Sequence, residues 1–209
     1  MNSSGIISLD DLLGGGYPLG ITCISGPRGS GKTQLLLAAA QAALANDVPI
    51  AFFSFDADLR SSVIPKSSAL GKVYFRIDTL DEAVKKLVGC AQETLVLMDG
   101  VHKAFVYKGP DAGTVEDGSR VLKARWFNNQ VSTLRKFSSV ILTSEEVLSY
   151  KALTHATSTA IELKISGNSD VTAYIGKSMG TRTSSSLPLV FRGHGQVLPM
   201  EVRSRFERF

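Results

Sequence analysis

A chain of 209 residues, 44% hydrophobic and 20% charged, has the size and balance of one globular domain that buries roughly 70% of its unfolded surface without a disulfide or metal staple. Its apolar runs fall far short of the roughly 20 residues that cross a bilayer, and Met1-Asn2-Ser3-Ser4-Gly5 lacks the basic and apolar regions of a secretory leader. The formal net charge of +4 permits contact with an anionic polymer without requiring it; basic residues gather over Arg120–Lys136 and at Arg203, Arg205 and Arg208.

Four short apolar runs bounded by turn residues read as buried strands: Ile21–Ser25, Ile50–Phe55, Leu95–Met98 and Val140–Thr143. Between the first two, Thr33–Ala45 is rich in Ala and Leu and predicts a helix that stops near Asn46-Asp47 and Pro49. Asp81–Cys90 and Ser119–Phe137 supply two further helical patterns. Strand alternating with helix is the rhythm of a parallel α/β sheet covered on both faces. After Ser144 the pattern changes: Thr159–Ile165, Val171–Gly176 and Leu187–Arg192 read as strands, with a hairpin turn at Gly167-Asn168-Ser169, and predict an antiparallel extension on one edge. No linker splits the chain, so residues 1–209 are expected to form a single domain. Cys23 and Cys90, both read as lying in apolar surroundings, make neither a disulfide framework nor a zinc site, which predicts a reducing, intracellular location (nuclear in a eukaryote, otherwise cytoplasmic).

Gly26-Pro27-Arg28-Gly29-Ser30-Gly31-Lys32-Thr33 fits G-x-x-x-x-G-K-[ST] at every position, after an apolar strand and before a helix. Glycines let the backbone curl so that several N–H groups converge, and the helix N-terminus adds partial positive charge. Lys32 is expected to reach β- and γ-phosphates and the Thr33 hydroxyl to hold Mg²⁺. A metal there needs a carboxylate at the end of a neighbouring strand, and Asp99, directly after Leu95–Met98, supplies it through water. Hydrolysis also needs a group that orients the attacking water; Asp56, closing the second strand, stands at the carboxyl edge where open α/β sheets bind ligands. Asp56 and nearby Asp58 equally suit a turn or a helix cap.

These residues resemble the RecA family of ATPases, and more narrowly the RadA-type recombinases of archaea and eukaryotes with their paralogues, archaeal RadB among them. The run Gly5-Ile6-Ile7-Ser8-Leu9-Asp10-Asp11-Leu12-Leu13-Gly14-Gly15-Gly16-Tyr17-Pro18-Leu19-Gly20 is similar to that family's approach to the loop, and Gln34 after Lys32-Thr33 is typical of its recombinase branch. His155-Ala156-Thr157-Ser158-Thr159 with alternating Ile161 and Leu163 looks like the segment after the second DNA loop, so the likeness covers roughly residues 5–200.

The resemblance implies a RecA-like core with ATP and Mg²⁺ at subunit interfaces. It implies that Asp56 replaces the water-orienting Glu with a shorter carboxylate. Glu145 would replace a sensor Gln with a group that repels phosphate, which points to weak hydrolysis, while Lys177 and Arg182 would reach a neighbour's ATP; as edge-strand charges they equally suit a role against aggregation. Full-length recombinases carry an N-terminal helical domain that this core is expected to lack. The second DNA loop, Glu146–Leu153, is short, and the first, Phe105–Asp117, has one Lys and three acidic residues, a poor partner for phosphates. Tyr107 and Tyr150 suit base stacking or ordinary loop packing.

Three functions follow. One is an accessory recombinase paralogue that stacks on related subunits and assists strand exchange on single-stranded DNA. Another is a homo-oligomeric motor, a DnaB-like helicase or phage-type recombinase or annealing ATPase, since Phe52-Phe53-Ser54-Phe55-Asp56 also looks like the matching DnaB strand. A nucleotide-dependent scaffold without DNA contact is a third.

Overall fold

The computed structural model describes residues 1–55, 71–75, 77–104, 128–145, 156–167, 170–177 and 185–189. Its centre is one eight-stranded sheet. In chain order the strands are β1 (Gly20–Ser25), β2 (Ile50–Ser54), β3 (Gly71–Phe75), β4 (Leu95–Asp99), β5 (Ser139–Ser144), β6 (Thr157–Ile165), β7 (Val171–Lys177) and β8 (Ser185–Leu189), and across the sheet they run β3-β2-β4-β5-β1-β6-β7-β8. From β3 to β6 every pairing is parallel; the β6–β7 and β7–β8 pairings are antiparallel.

Burial explains the two halves. β2, β4 and β5 are buried at every residue, as strands covered on both faces must be. One face packs on α1 (Ile7–Leu13) and α2 (Lys32–Ala45) through Leu9, Leu35, Leu36, Phe52, Leu97 and Ile141. The other packs on α3 (Leu80–Leu87) and a helix over 128–134, α4, through Phe53, Met98, Leu142, Leu80, Leu87 and Leu134. α2 carries apolar residues around most of its circumference and is correspondingly buried. β6 alternates between buried and partly exposed residues up to Leu163 and ends exposed, the pattern of a strand covered on one side.

Several sequence expectations are corrected. β6 joins the parallel half, because its register beside β1 (Cys23 with Ala160, Ile24 with Ile161) continues the parallel order, so the antiparallel extension begins one strand later. β3 was not anticipated: Gly71-Lys72-Val73-Tyr74-Phe75 is too mixed to stand out as an apolar run, yet it pairs along the whole of β2. α1 also lay unrecognised inside the glycine-rich approach. The N-terminal residues are tied to it by Asp10, which accepts from Ser4 N–H and Ser3 Oγ, both at 2.6 Å, and the bridge of Asn2 to Tyr17 closes the unit. α3 ends at Leu87, three residues early, as Val88 turns extended and Gly89 takes a positive φ of 84°. The last strand covers Ser185–Leu189 rather than beginning at Leu187. Cys23 is buried among apolar groups, which pushes its thiol up to about 12; Cys90 instead stands 3.6 Å from Lys72 Nζ, so its surroundings are not purely apolar. The hairpin is closed by Ser166 N–H donating to Asp170 O at 2.9 Å, with residues 168–169 outside the described set. Among the described residues no helix is long and apolar enough to cross a membrane.

Candidate functional site

The parallel strands bring their carboxyl ends to one edge, and β1 sits there between β5 and β6. β5 leads past β1 to β6 while β1 leads through α2 to the opposite side, so the loop after β1 opens at a reversal of strand order, where open α/β sheets hold their ligands. Gly26 begins that loop under close constraint: its N–H donates to Ser144 O at 3.2 Å, and a Cβ there would lie 2.6 Å from Leu163 O. Gly31 caps α2 with φ 86°, a conformation that glycine adopts without a Cβ clash. The result is a cleft of about 250 Å³ lined by Arg28, Gly29, Gly31, Lys32, Thr33, Gln34, Asp99, Gly100, His102, Thr143 and Glu145.

Lys32 is buried at the first position of α2, and its Nζ donates to Gly26 O and Pro27 O, each at 2.8 Å. An ammonium has three donors, so one remains for an anion in the cleft. Desolvation lowers its pKa below the usual lysine value, against the opposing pull of Glu145 and then Asp99. Thr33, the next residue, donates from Oγ1 to Asp99 Oδ2 at 2.9 Å. Asp99, nearly fully buried at the end of β4, accepts at Oδ1 from Thr143 Oγ1 at 2.6 Å, and Thr143 in turn accepts from Gly100 N–H at 2.9 Å. These bonds fix the carboxylate's orientation from three elements. Glu145, just past β5, donates its N–H to His102 Nδ1 at 3.4 Å, and its Oε2 lies 3.8 Å from His102 Nε2.

The residues read from the loop motif therefore meet in one place: Gly26 through Thr33 form the loop, and Gln34 lines the same cleft with its Oε1 buried and without a partner among the described residues. Ser30, fully buried within the loop, likewise leaves its Oγ without a partner among the described residues. Thr33 and Asp99, expected to serve one metal, are directly bonded, and Glu145 shares their cleft. Lys177 ends β7, where its backbone pairs with Ala160; its side chain, Asp56 and Arg182 lie outside the described residues, as do Asp58, Tyr107 and Tyr150. Sequence reasoning missed Thr143 and His102. Thr143 was legible only as part of an apolar strand, and its contact with Asp99 needs the β4–β5 register to be known. His102 follows three residues after Asp99, a spacing with no signature of its own.

The donor set suits Mg²⁺. That small cation takes oxygen ligands in near-octahedral geometry, keeps several waters and shares its shell with phosphates. The Thr33 hydroxyl retains lone pairs while its proton bonds Asp99, and the carboxylate stands behind it to accept from bound water. Among the described residues no cluster of three or more His, Cys, Asp and Glu forms a metal cage, so oxygen from a ligand would have to complete such a shell. No protein-family model matches the chain, and no curated protein sequence matches it.

Proposed function

We propose that the cleft binds a nucleoside triphosphate with Mg²⁺, ATP by the family resemblance, and that the chain is a RecA-like recombinase paralogue. The observation that carries the nucleotide reading is the 2.9 Å bond between Thr33 Oγ1 and Asp99 Oδ2, which joins the end of the glycine loop to the acid of a neighbouring strand. Two residues distant in sequence and expected for one ion thereby meet in the cleft that the glycine loop lines. Lys32 supplies the cation for the β- and γ-phosphates, the loop amides and the α2 N-terminus supply further donors, and Thr33 with Asp99 holds the metal, which when bound neutralises phosphate charge.

The recombinase reading rests on the resemblance, supported by the mostly parallel sheet with its antiparallel edge. In it, ATP bridges this chain and a related subunit, turnover is weak, and the assembly assists strand exchange on single-stranded DNA. Nucleotide then acts by differential affinity for the assembled and separate states. Calorimetric titration of the purified chain with Mg-ADP and a slowly hydrolysed Mg-ATP analogue tests the site: saturable heat is expected, and none with either nucleotide removes the reading. Co-purification with mass spectrometry tests the paralogue assignment, which predicts a recombinase subunit in the complex. Strong stimulation of ATP turnover by single-stranded DNA, with this chain alone, would instead select the motor.

A further inference from the structure

Two carboxylates line the cleft, and the nucleotide reading uses only one. Asp99 has both oxygens engaged by hydroxyls, at 2.9 Å from Thr33 and 2.6 Å from Thr143. Glu145 lies two residues beyond Thr143 and is gripped differently: both its N–H and its carboxylate meet the same imidazole, at 3.4 Å and 3.8 Å. Nδ1 accepts in the first contact, and Nε2 faces the carboxylate in the second. The Glu145 side chain is 41% exposed, so solvent is open to it if the ring is removed.

Charge decides what this carboxylate does. In the nucleotide reading the loop lysine would hold the β- and γ-phosphates, and Thr33 with Asp99 would hold the metal. Both acids share the cleft with Lys32. The triphosphate carries one more negative charge than the diphosphate, so a further carboxylate charge in that cleft penalises it more. Of the two acids, Glu145 also exerts the larger pull on the Lys32 ammonium, the charge that an incoming phosphate needs.

We infer that Glu145, held in the cleft by His102, selects against the third phosphate, so that this chain alone binds a magnesium nucleoside diphosphate at least as tightly as the triphosphate. The inference rests on the nucleotide reading of the cleft. A unit charge about 5 Å from another, at an effective dielectric of about 40, alters an equilibrium by about ten-fold or more, enough to offset what the extra phosphate gains from Lys32. His102 is a positioning residue: it acts through where it keeps the carboxylate.

The test is calorimetric titration of the full chain with Mg-ADP and a non-hydrolysable Mg-ATP analogue, read as the ratio of triphosphate to diphosphate affinity. In the unaltered chain the ratio is expected at or below one. Glu145→Gln should raise it about ten-fold, and Glu145→Asp should leave it low because the charge stays. His102→Gln should raise it several-fold by releasing the carboxylate to solvent, a change of selectivity that a merely structural histidine would not produce. The gap between the unaltered chain and Glu145→Gln should also narrow as salt rises from about 0.05 M to about 0.5 M, where screening shortens the reach of an exposed charge. A ratio unchanged in Glu145→Gln, a triphosphate bound more weakly in that variant, or an unaltered chain that prefers triphosphate more than ten-fold overturns the inference while leaving the nucleotide site intact. Absence of heat with either nucleotide removes the site, and the inference with it.

Discussion

α2 and α3 begin in opposite ways. At α3 the protein satisfies its own helix end: Thr79 Oγ1 accepts from Glu82 N–H at 3.2 Å, Asp81 and Glu82 lie in the first turn, and Lys85 and Lys86 lie in the last. Side chains thereby complement both ends of the dipole. At α2 no side chain caps the N-terminus and no acid lies in the first turn; a glycine with φ 86° precedes it and Lys32 opens it. A positive helix end given a further positive charge, at the carboxyl edge of a buried sheet, is unfavourable unless an anion completes it. The first helix end is finished by its own side chains, and the second, on the proposed reading, is left for a ligand.

The strongest way to break that comparison is Lys32→Ala. It removes the ammonium and its two bonds to Gly26 O and Pro27 O, leaving the α2 N-terminus with backbone donors alone. Hydrogen bonds to charged groups contribute about 1.5–3 kcal/mol each, so loss of the one that remains for phosphate weakens nucleotide binding by about ten-fold to about 100-fold. Unchanged affinity by calorimetry would mean that the loop does not hold phosphate. Thr33→Val is narrower in effect. It keeps the shape and deletes the hydroxyl that bonds Asp99, so the gain in nucleotide affinity on adding Mg²⁺ should fall by about ten-fold, within the range for lost groups around a metal. Binding without Mg²⁺ is the control, and an unaltered magnesium gain would remove Thr33 and Asp99 from the metal.

How much of this the chain disclosed depended on whether the signal was local. The loop, its flanking strand and helix, and Asp99 were legible because a phosphate cradle is a contiguous turn with fixed residue types. The fully buried strands were legible as apolar runs. β3 was not, because its partners on β2 rather than its own pattern hold it in the sheet. The direction of β6 was misread for a related reason: strand polarity is set by a crossover and a neighbour, neither visible in nine residues. Thr143 and His102 entered the cleft through register and a turn of 3₁₀ helix over Val101–Lys103, so no spacing rule could have named them. The residues given roles by family likeness differ in where they fall. Glu145 lines the cleft, whereas Asp56 and Arg182 fall outside the described residues.

Gly26→Ala probes the loop from beneath. The added methyl would meet the Leu163 carbonyl oxygen at 2.6 Å, and that oxygen belongs to β6 and has little freedom to yield. Overpacking of this kind costs about 1–3 kcal/mol. The melting temperature should fall, and nucleotide should restore part of it by mass action if the displaced loop still closes on phosphate. A full, wild-type melting temperature would show that the strand and loop are not held as closely as this contact requires.

The smallest effect separates the two helix ends most cleanly. Thr79→Ala removes the α3 cap and leaves Glu82 N–H without its side-chain acceptor. Such caps contribute about 1 kcal/mol, which in a chain of this length lowers the melting temperature by about 2–4 °C. Nucleotide affinity should not change, because α3 packs on the face of the sheet opposite α2 and Thr79 lies outside the cleft lining. Equal losses of stability and affinity would mean that the two faces are coupled through Phe53, Met98 and Leu142 of the intervening strands, and that an end finished by its own cap nonetheless governs the end left for a ligand.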